Sequence, residues 1–196
     1  MTEEVSLVST FYSFDPFVAA AHAYSPSKIY LVVAKDSISK IEKEMEKVKQ
    51  LYGSVASIDI IKVDDSNLFS IAHDTVRLLE SRKGRVIVNI SGGWKLLAQG
   101  VLYGCYARPE LMEKIICNNL VDNTLVELPK LCYGLTSAKK EVLEEIAKRG
   151  GRSISGIAAK LEKTTGMLYQ HLKELRDAGY VDGKFEITLA GKLALL

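Results

Sequence analysis

Long apolar runs are missing from this 196-residue chain. None reaches the roughly 18–20 residues that span a bilayer, so no membrane-crossing helix and no membrane partner are expected. The segment Met1-Thr2-Glu3-Glu4 is acidic and lacks the basic-then-apolar layout of a secretory signal. Cysteine is scarce: Cys105, Cys117 and Cys132 are odd in number and show no Cys-x-x-Cys spacing. That excludes a disulfide framework and predicts buried, reduced thiols in a cytoplasmic protein. No Cys/His cluster has zinc spacing, and Asp64 with Asp65 supply too few ligands for a cation, so they are expected to cap a helix and carry solvated charge. No metal or cofactor is therefore expected. His22 and His73 fall on helical patterns and are expected to be structural or exposed.

An excess of either charge is also missing, the formal net charge being +2. The distribution says slightly more. Residues 135–196 carry 11 Lys and Arg against 8 Asp and Glu, while residues 1–134 carry 15 against 16. The C-terminal third is the more basic part, weakly so. Two nucleotide fingerprints are absent as well. There is no G-x-G-x-x-G after the first apolar strand, which argues against ordinary NAD binding, and no G-x-x-x-x-G-K-[ST], which argues against nucleoside triphosphate hydrolysis.

The segment at 86–100 is the most informative part of what is present. An apolar run, Val86 to Val88, stops at Asn89, a Ser91-Gly92-Gly93 turn follows, and a helical pattern begins at Lys95. Strand, glycine turn and helix together point free backbone N–H groups at one spot, where an anion sits on the positive end of the helix. Two glycines let the backbone approach a ligand with no Cβ in the way, and Lys95 adds positive charge. A phosphorylated ligand is expected here, the alternative for Lys95 being a merely solvated helix-start lysine.

Residues 1–130 alternate strand and helix. Strands are predicted at Val5–Ser9, Lys28–Ala34, Ala56–Val63 and Arg85–Asn89, with two further short ones at Lys114–Asn118 and Thr124–Leu128 turning at Asp122-Asn123. Helices are predicted at Ser13–Tyr24, from an Asp36 or Ser37 cap to Tyr52, at Asn67–Ser81, and from Lys95 to about Tyr106 before Pro109. Such alternation implies an α/β fold with a mostly parallel sheet covered on both faces. Ligands of these sheets bind outside the carboxyl ends of the strands. Two loops there carry suitable groups: Ser9-Thr10-Phe11-Tyr12-Ser13 and the Ser91–Lys95 turn.

Pro129 to Gly134 marks a junction. Beyond it, over 135–196, helices are predicted at Thr136 or Ser137 to Arg149, Gly156–Leu161 and Thr165–Ala178. A hairpin pairs Tyr180-Val181 with Phe185–Thr188, and a small helix closes at Leu189–Leu196. Three helices and a hairpin make an α+β winged helix-turn-helix. His171-Leu172-Lys173-Glu174-Leu175-Arg176-Asp177-Ala178-Gly179-Tyr180-Val181 and Ile187-Thr188-Leu189-Ala190-Gly191 resemble segments of ArsR/MarR-type regulators. Leu168, Leu172 and Leu175 form the buried stripe of the third helix. Its other face carries Thr164, Thr165, Gly166, Tyr169, Gln170 and Lys173, suited to the major groove of double-stranded DNA. Gln170 suits base edges, Tyr169 or Thr165 a phosphate, and Lys184 at the wing tip with Arg152 the backbone. His171, beside the stripe, is expected to pack rather than read bases. A winged helix that serves only protein interaction is the competing reading.

The pair of modules resembles the CRISPR-associated Rossmann-fold (CARF) regulators, whose Asn-x-[Ser/Thr]-Gly-Gly-Thr-Lys-like segment stands here as Asn89-Ile90-Ser91-Gly92-Gly93-Trp94-Lys95. The resemblance implies a Rossmann-like domain at 1–130 that forms a homodimer. It also implies a cyclic oligoadenylate ligand, most often the tetramer, at the dimer two-fold. The residues that match the family's ligand site are Ser9, Thr10, Ser91, Gly92, Gly93 and Lys95; Phe11, Tyr12 and Trp94 join the candidate ligand-facing set by position alone, the alternative for Phe11 and Tyr12 being simple packing. Trp94 departs from the family's small Thr. It either stacks on an adenine or fills space in the core or dimer interface, and the second is the commoner fate of a tryptophan. The resemblance implies a ligand-gated transcription regulator first. It implies second a metal-independent ring nuclease that opens the cyclic ligand, with Lys95 stabilising charge and Ser9 or Thr10 orienting a ribose hydroxyl. A sensor of some other phosphorylated metabolite is the third reading.

Overall fold

A computed structural model describes residues 4–119, 121–122, 124–131, 133–149 and 154–196. The chain divides into two compact units, Met1–Cys132 and Tyr133–Leu196. Arg152, offered above as a DNA backbone contact, and Cys132 lie outside the described residues.

The first unit is a six-stranded sheet, β1 (Val5–Thr10), β2 (Lys28–Ala34), β3 (Ser57–Val63), β4 (Arg85–Asn89), β5 (Lys114–Asn118) and β6 (Leu125–Leu128). The order is β3-β2-β1-β4-β5-β6, parallel throughout except for the β5–β6 pair. Its helices are α1 (Asp15–Tyr24), α2 (Ile38–Tyr52), α3 (Leu68–Glu80) and α4 (Lys95–Ala107). Successive strand residues point to opposite faces, and the central strands are apolar on both. Leu7, Ile29, Leu31, Val33 and Ile87 pack with Phe17 of α1 and Ile41, Met45 and Val48 of α2. Val8, Tyr30, Val32, Val86 and Val88 pack with Ile71 and Leu79 of α3 and Leu97, Val101 and Cys105 of α4. This is the doubly covered, Rossmann-like arrangement. The order reverses between β1 and β4, which opens a crevice at the carboxyl ends of those two strands.

Two helix starts differ from expectation. Ser37 holds the N-cap position of α2, behind a 3-10 turn at Lys35–Ser37, but its side chain makes no cap hydrogen bond. At α3 the cap is Asn67, whose Oδ1 accepts the Ser70 N–H at 2.9 Å, while Asp64 accepts the Ser66 N–H in the preceding turn. An Asn one residue before the helix reaches the orphan N–H groups that Asp64 and Asp65 are too far back to reach.

The second unit holds α5 (Ser137–Arg149), α6 (Ile154–Lys160), α7 (Thr165–Asp177) and α8 (Leu189–Ala194). Leu168, Leu172 and Leu175 are buried against Val142, Leu143, Ile146 and Ile157, as the stripe predicts. Thr164 caps α7, its hydroxyl accepting the Met167 N–H at 3.3 Å. The expected hairpin is reduced to one antiparallel bridge, Val181 with Ile187. Asp182 explains the reduction: its Oδ1 accepts the N–H groups of both Lys184 (2.8 Å) and Glu186 (2.9 Å), and so takes the chain into a tight turn instead of a ladder. Glu145 of α5, 4% exposed, joins α6 through Lys160 Nζ at 2.7 Å.

Candidate functional site

The β4–α4 turn is built by side chains that are buried or partly buried. Asn89 ends β4 fully buried. Its Nδ2 donates to Ser9 Oγ at 3.0 Å and to the Pro16 carbonyl at 3.3 Å. Its Oδ1 accepts the Ser91 N–H at 3.1 Å and the Ser91 hydroxyl. One amide thus ties β1, the start of α1 and the turn together, with both donors and both acceptor sites in use. Ser91 Oγ in turn accepts the Asn118 N–H at 2.7 Å, which adds β5. Asn118 is itself buried, and its Oδ1 has no partner among the described residues. Thr10 Oγ1 donates to the Gly92 carbonyl at 2.7 Å.

Glycine is required twice. A Cβ on Gly92 would stand 2.5 Å from the Thr10 carbonyl oxygen, and Gly93 has φ +80°, the left-handed region. The turn therefore passes hard against β1 and swings directly into α4.

That helix starts without a cap: Trp94 is its N-cap residue and makes no side-chain cap bond. The N–H groups of the first turn, on Lys95, Leu96 and Leu97, thus lack intrahelical acceptors. The neighbouring helix differs. Glu44 of α2 accepts the Phe14 N–H at the start of α1, at 3.0 Å. Lys47 first, and that N–H second, hold the Glu44 carboxyl below its ordinary range. The α1 terminus thus carries a carboxylate of its own, whereas α4 is left for an anion from outside, with Lys95 exposed beside it.

The ligand-facing set predicted from sequence divides in two. Tyr12, Trp94 and Lys95 are exposed and Gly93 half-buried just beyond the carboxyl ends of β1 and β4, while Gly92 is buried. Phe11 is 1% exposed, packs edge-on to Phe17 and is part of the core. Ser9 and Thr10 are buried too. Ser9 Oγ donates to the Thr10 carbonyl and accepts from Asn89, so neither hydroxyl is free to orient a ribose. The roles proposed for them in ring cleavage do not fit this geometry. Ser91 is likewise a strut of the turn. Trp94 is not a core residue, being 50% exposed. Its indole stands 5.3 Å from the Tyr12 ring, tilted by 58°, and its Nε1 donates to Ser37 Oγ at 3.1 Å.

Sequence reasoning gave no role to Glu44 or Asn118, took Ser37 only as a candidate cap of α2, and used Asn89 only as the end of β4 and the start of the family-like segment. A polar residue closing the apolar run Val86-Ile87-Val88 was the signal for Asn89. The other three are brought in by tertiary contacts, of the sheet for Ser37 and Asn118 and of helix on helix for Glu44, which no local pattern announces.

On α7, Thr165, Gly166, Tyr169, Gln170 and Lys173 are all exposed, as is Lys184 in the turn after Val181. Gln170 Nε2 donates to Glu174 at 3.3 Å, and Glu174 pairs with Lys139 of α5 at 2.8 Å. His171 is half-buried, its Nδ1 without a partner among the described residues. No helix among the described residues is long and apolar enough to cross a membrane, and no group of three metal-ligating side chains occurs among them. Of the cysteines, Cys105 is buried and Cys117 half-exposed, so the second is less enclosed than expected.

Comparison with known proteins places both units. No curated protein matches the sequence. Among solved structures, protein VC1899 from Vibrio cholerae aligns with a TM-score of 0.53 at 13% identity, over 97% of this chain and 64% of its own, which is a likeness of fold. Can2 from Sulfobacillus thermosulfidooxidans, solved in complex with cyclic tetra-adenylate, aligns at 17% identity over 97% of this chain and 62% of its own (TM-score 0.49). A type III CRISPR defence DNA nuclease activated by cyclic oligoadenylate aligns at 14% identity over 90% of this chain and 34% of its own (TM-score 0.46). The chain spans less than two thirds of the length of each of these structures. Residues 136–182 match the bacterial regulatory protein model of the arsR family. Residues 18–120, more than half of the chain, match the Csa3 CRISPR-associated Rossmann-like domain, and the chain belongs to that family.

Proposed function

We propose that this protein is a CRISPR-associated transcription regulator that binds cyclic oligoadenylate, the tetramer foremost, at the β4–α4 turn of two paired copies and DNA through α7. The observation that carries the reading is the uncapped start of α4, held open at the switch point while Glu44 fills the equivalent place on α1. A phosphodiester anion satisfies the orphan N–H groups there and meets Lys95. The resemblance to the CARF regulators supports the class of ligand, and a two-fold symmetric ring suits a site shared by two copies. Leu96 and Tyr103, seven residues apart on α4 and each 38% exposed, offer such a copy an apolar face beginning at the turn.

On the DNA side, the exposed face of α7 supplies a basic group, a phenol and an amide over a fixed leucine stripe, the make-up of a helix that enters a major groove. A dimer would favour half-sites about one helical turn apart. The test is an electrophoretic mobility shift with promoter DNA, with and without cyclic tetra-adenylate. We expect the apparent affinity to change about 5–150-fold, the usual range of coupling between two sites. Absence of DNA binding at any ligand or salt concentration refutes the regulator reading.

A further inference from the structure

We infer that Trp94 and Tyr12 form a stacking platform for a purine base of the bound ligand, held in place by Ser37; the inference rests on reading the turn as an oligoadenylate site. Three observations lead to it. The first is exposure. The only tryptophan of the chain is half exposed, and Tyr12 beside it is 38% exposed. Two large aromatic rings left in water at the mouth of a crevice forgo burial that such rings normally obtain.

The second is order. The indole is fixed at one end by the backbone of the α4 N-cap and at the other by the 3.1 Å bond from Nε1 to Ser37 Oγ. Ser37 is 5% exposed and occupies the N-cap position of α2, yet it gives that helix no cap bond. Ser37 ends the 3-10 turn with helical backbone angles, so its hydroxyl is not placed to cap α2, and it accepts the indole N–H. A buried hydroxyl that orients a half-exposed ring is a sign that the ring's position matters.

The third is adjacency. Trp94 directly precedes the N–H groups expected to take the phosphate, so charge recognition and an open π-face lie within the span of one nucleotide. The Tyr12 ring, tilted by 58° at 5.3 Å, makes the second wall. A base that lies flat on one ring meets the edge of the other, which is the geometry aromatic quadrupoles favour. Inorganic phosphate or a sugar phosphate would use the turn and leave both rings bare. Ser37 acts as a positioning residue.

The single tryptophan makes the test direct. Cyclic tetra-adenylate is titrated into the full-length protein while Trp94 fluorescence and heat of binding are followed in parallel. We expect quenching that saturates at the calorimetric midpoint, and no quenching by inorganic phosphate. Trp94→Ala is expected to weaken binding about 5–150-fold, the range for loss of one stacked base, while Trp94→Phe keeps most of the affinity. Ser37→Ala is expected to lower the anisotropy of Trp94 emission and to weaken binding by less than Trp94→Ala does. Heat of binding with unchanged Trp94 emission overturns the platform and leaves the oligoadenylate reading standing. Equal quenching by phosphate does the same, since the signal then reports an anion and not a base. Absence of any heat with cyclic tetra-adenylate overturns the platform and the ligand reading together. The parent titration needs no variant, so a misfolded substitution cannot decide the outcome.

Discussion

Replacing Asn89 with Ala tests the account of the turn most severely. The side chain is fully buried and makes four hydrogen bonds that join β1, α1 and the β4–α4 turn. Not all four count equally. Ser9 Oγ keeps its bond to the Thr10 carbonyl after the change and loses only a donor it accepts from. The Pro16 carbonyl loses a 3.3 Å contact that is long to begin with. The Ser91 N–H and O–H, by contrast, both lose their acceptor in a partly buried place. An unsatisfied buried donor costs about 1–3 kcal/mol, so Asn89→Ala is expected to destabilise the sheet unit by about 2–5 kcal/mol. For a unit of this size that is a fall of about 6–15 °C in its melting temperature. Trp94 belongs to this unit alone, so its fluorescence follows the unfolding of the sheet while the second unit stays silent. Asn89→Asp keeps the oxygen that Ser91 needs but loses the amide donors and buries a charge. Burial raises the folded pKa of such a carboxyl, so this variant is expected to be weak at neutral pH and to recover as the pH falls through that raised value. A loss of under about 1 kcal/mol for Asn89→Ala, or no change in the transition followed by Trp94, refutes the claim that this amide holds the turn.

Three further outcomes follow from the same geometry. Gly92→Ala places a Cβ 2.5 Å from the Thr10 carbonyl oxygen, so the turn must shift; calorimetry should show oligoadenylate binding lost, with a stability cost of about 1–3 kcal/mol in the sheet unit. Glu145→Gln removes the carboxylate that Lys160, Lys148 and Arg149 share. Lys160 above all holds that carboxyl below its ordinary value. Its stabilising effect is therefore present above the unfolded carboxylate pKa and lost as the pH falls through the lowered folded value. The urea midpoint of the second unit should drop at pH 7, and the gap to the parent should close below about pH 4. Burial pushes the Cys105 thiol up to about 12. Peptide mapping after alkylation at pH 8 should find Cys105 unlabelled in the folded protein and labelled only after denaturation, with Cys117 reacting before it.

Much of the fold was legible in the chain. β2, β4 and β5 fall where continuous apolar runs predicted them, because a strand buried on both faces has no polar residue to interrupt it. The stripe Leu168, Leu172, Leu175 was legible for the complementary reason, one apolar face at helical period. The hairpin after α7 was overread. Apolar residues on both sides of Asp182-Gly183-Lys184 suggest a ladder, but the Asp182 carboxylate takes up N–H groups that a ladder would have used.

The Ser91–Lys95 turn shows where local reading stops. The residues themselves fixed that a glycine turn leads from an apolar strand into a helix with a lysine at its start, since strand propensity, φ > 0 and helix periodicity are properties of neighbours in sequence. Which side chains are left exposed at the turn was settled by pairing across the sheet. Because β1 lies beside β4, the hydroxyls of Ser9 and Thr10 meet Asn89 and Gly92 instead of solvent, and Phe11 turns into the core. Because β2 lies beside β1, Ser37 comes within a hydrogen bond of an indole 57 residues away and holds it open to the crevice. Local chemistry placed the candidate anion site. Only the register of the parallel strands decided which of its residues are struts and which are left exposed.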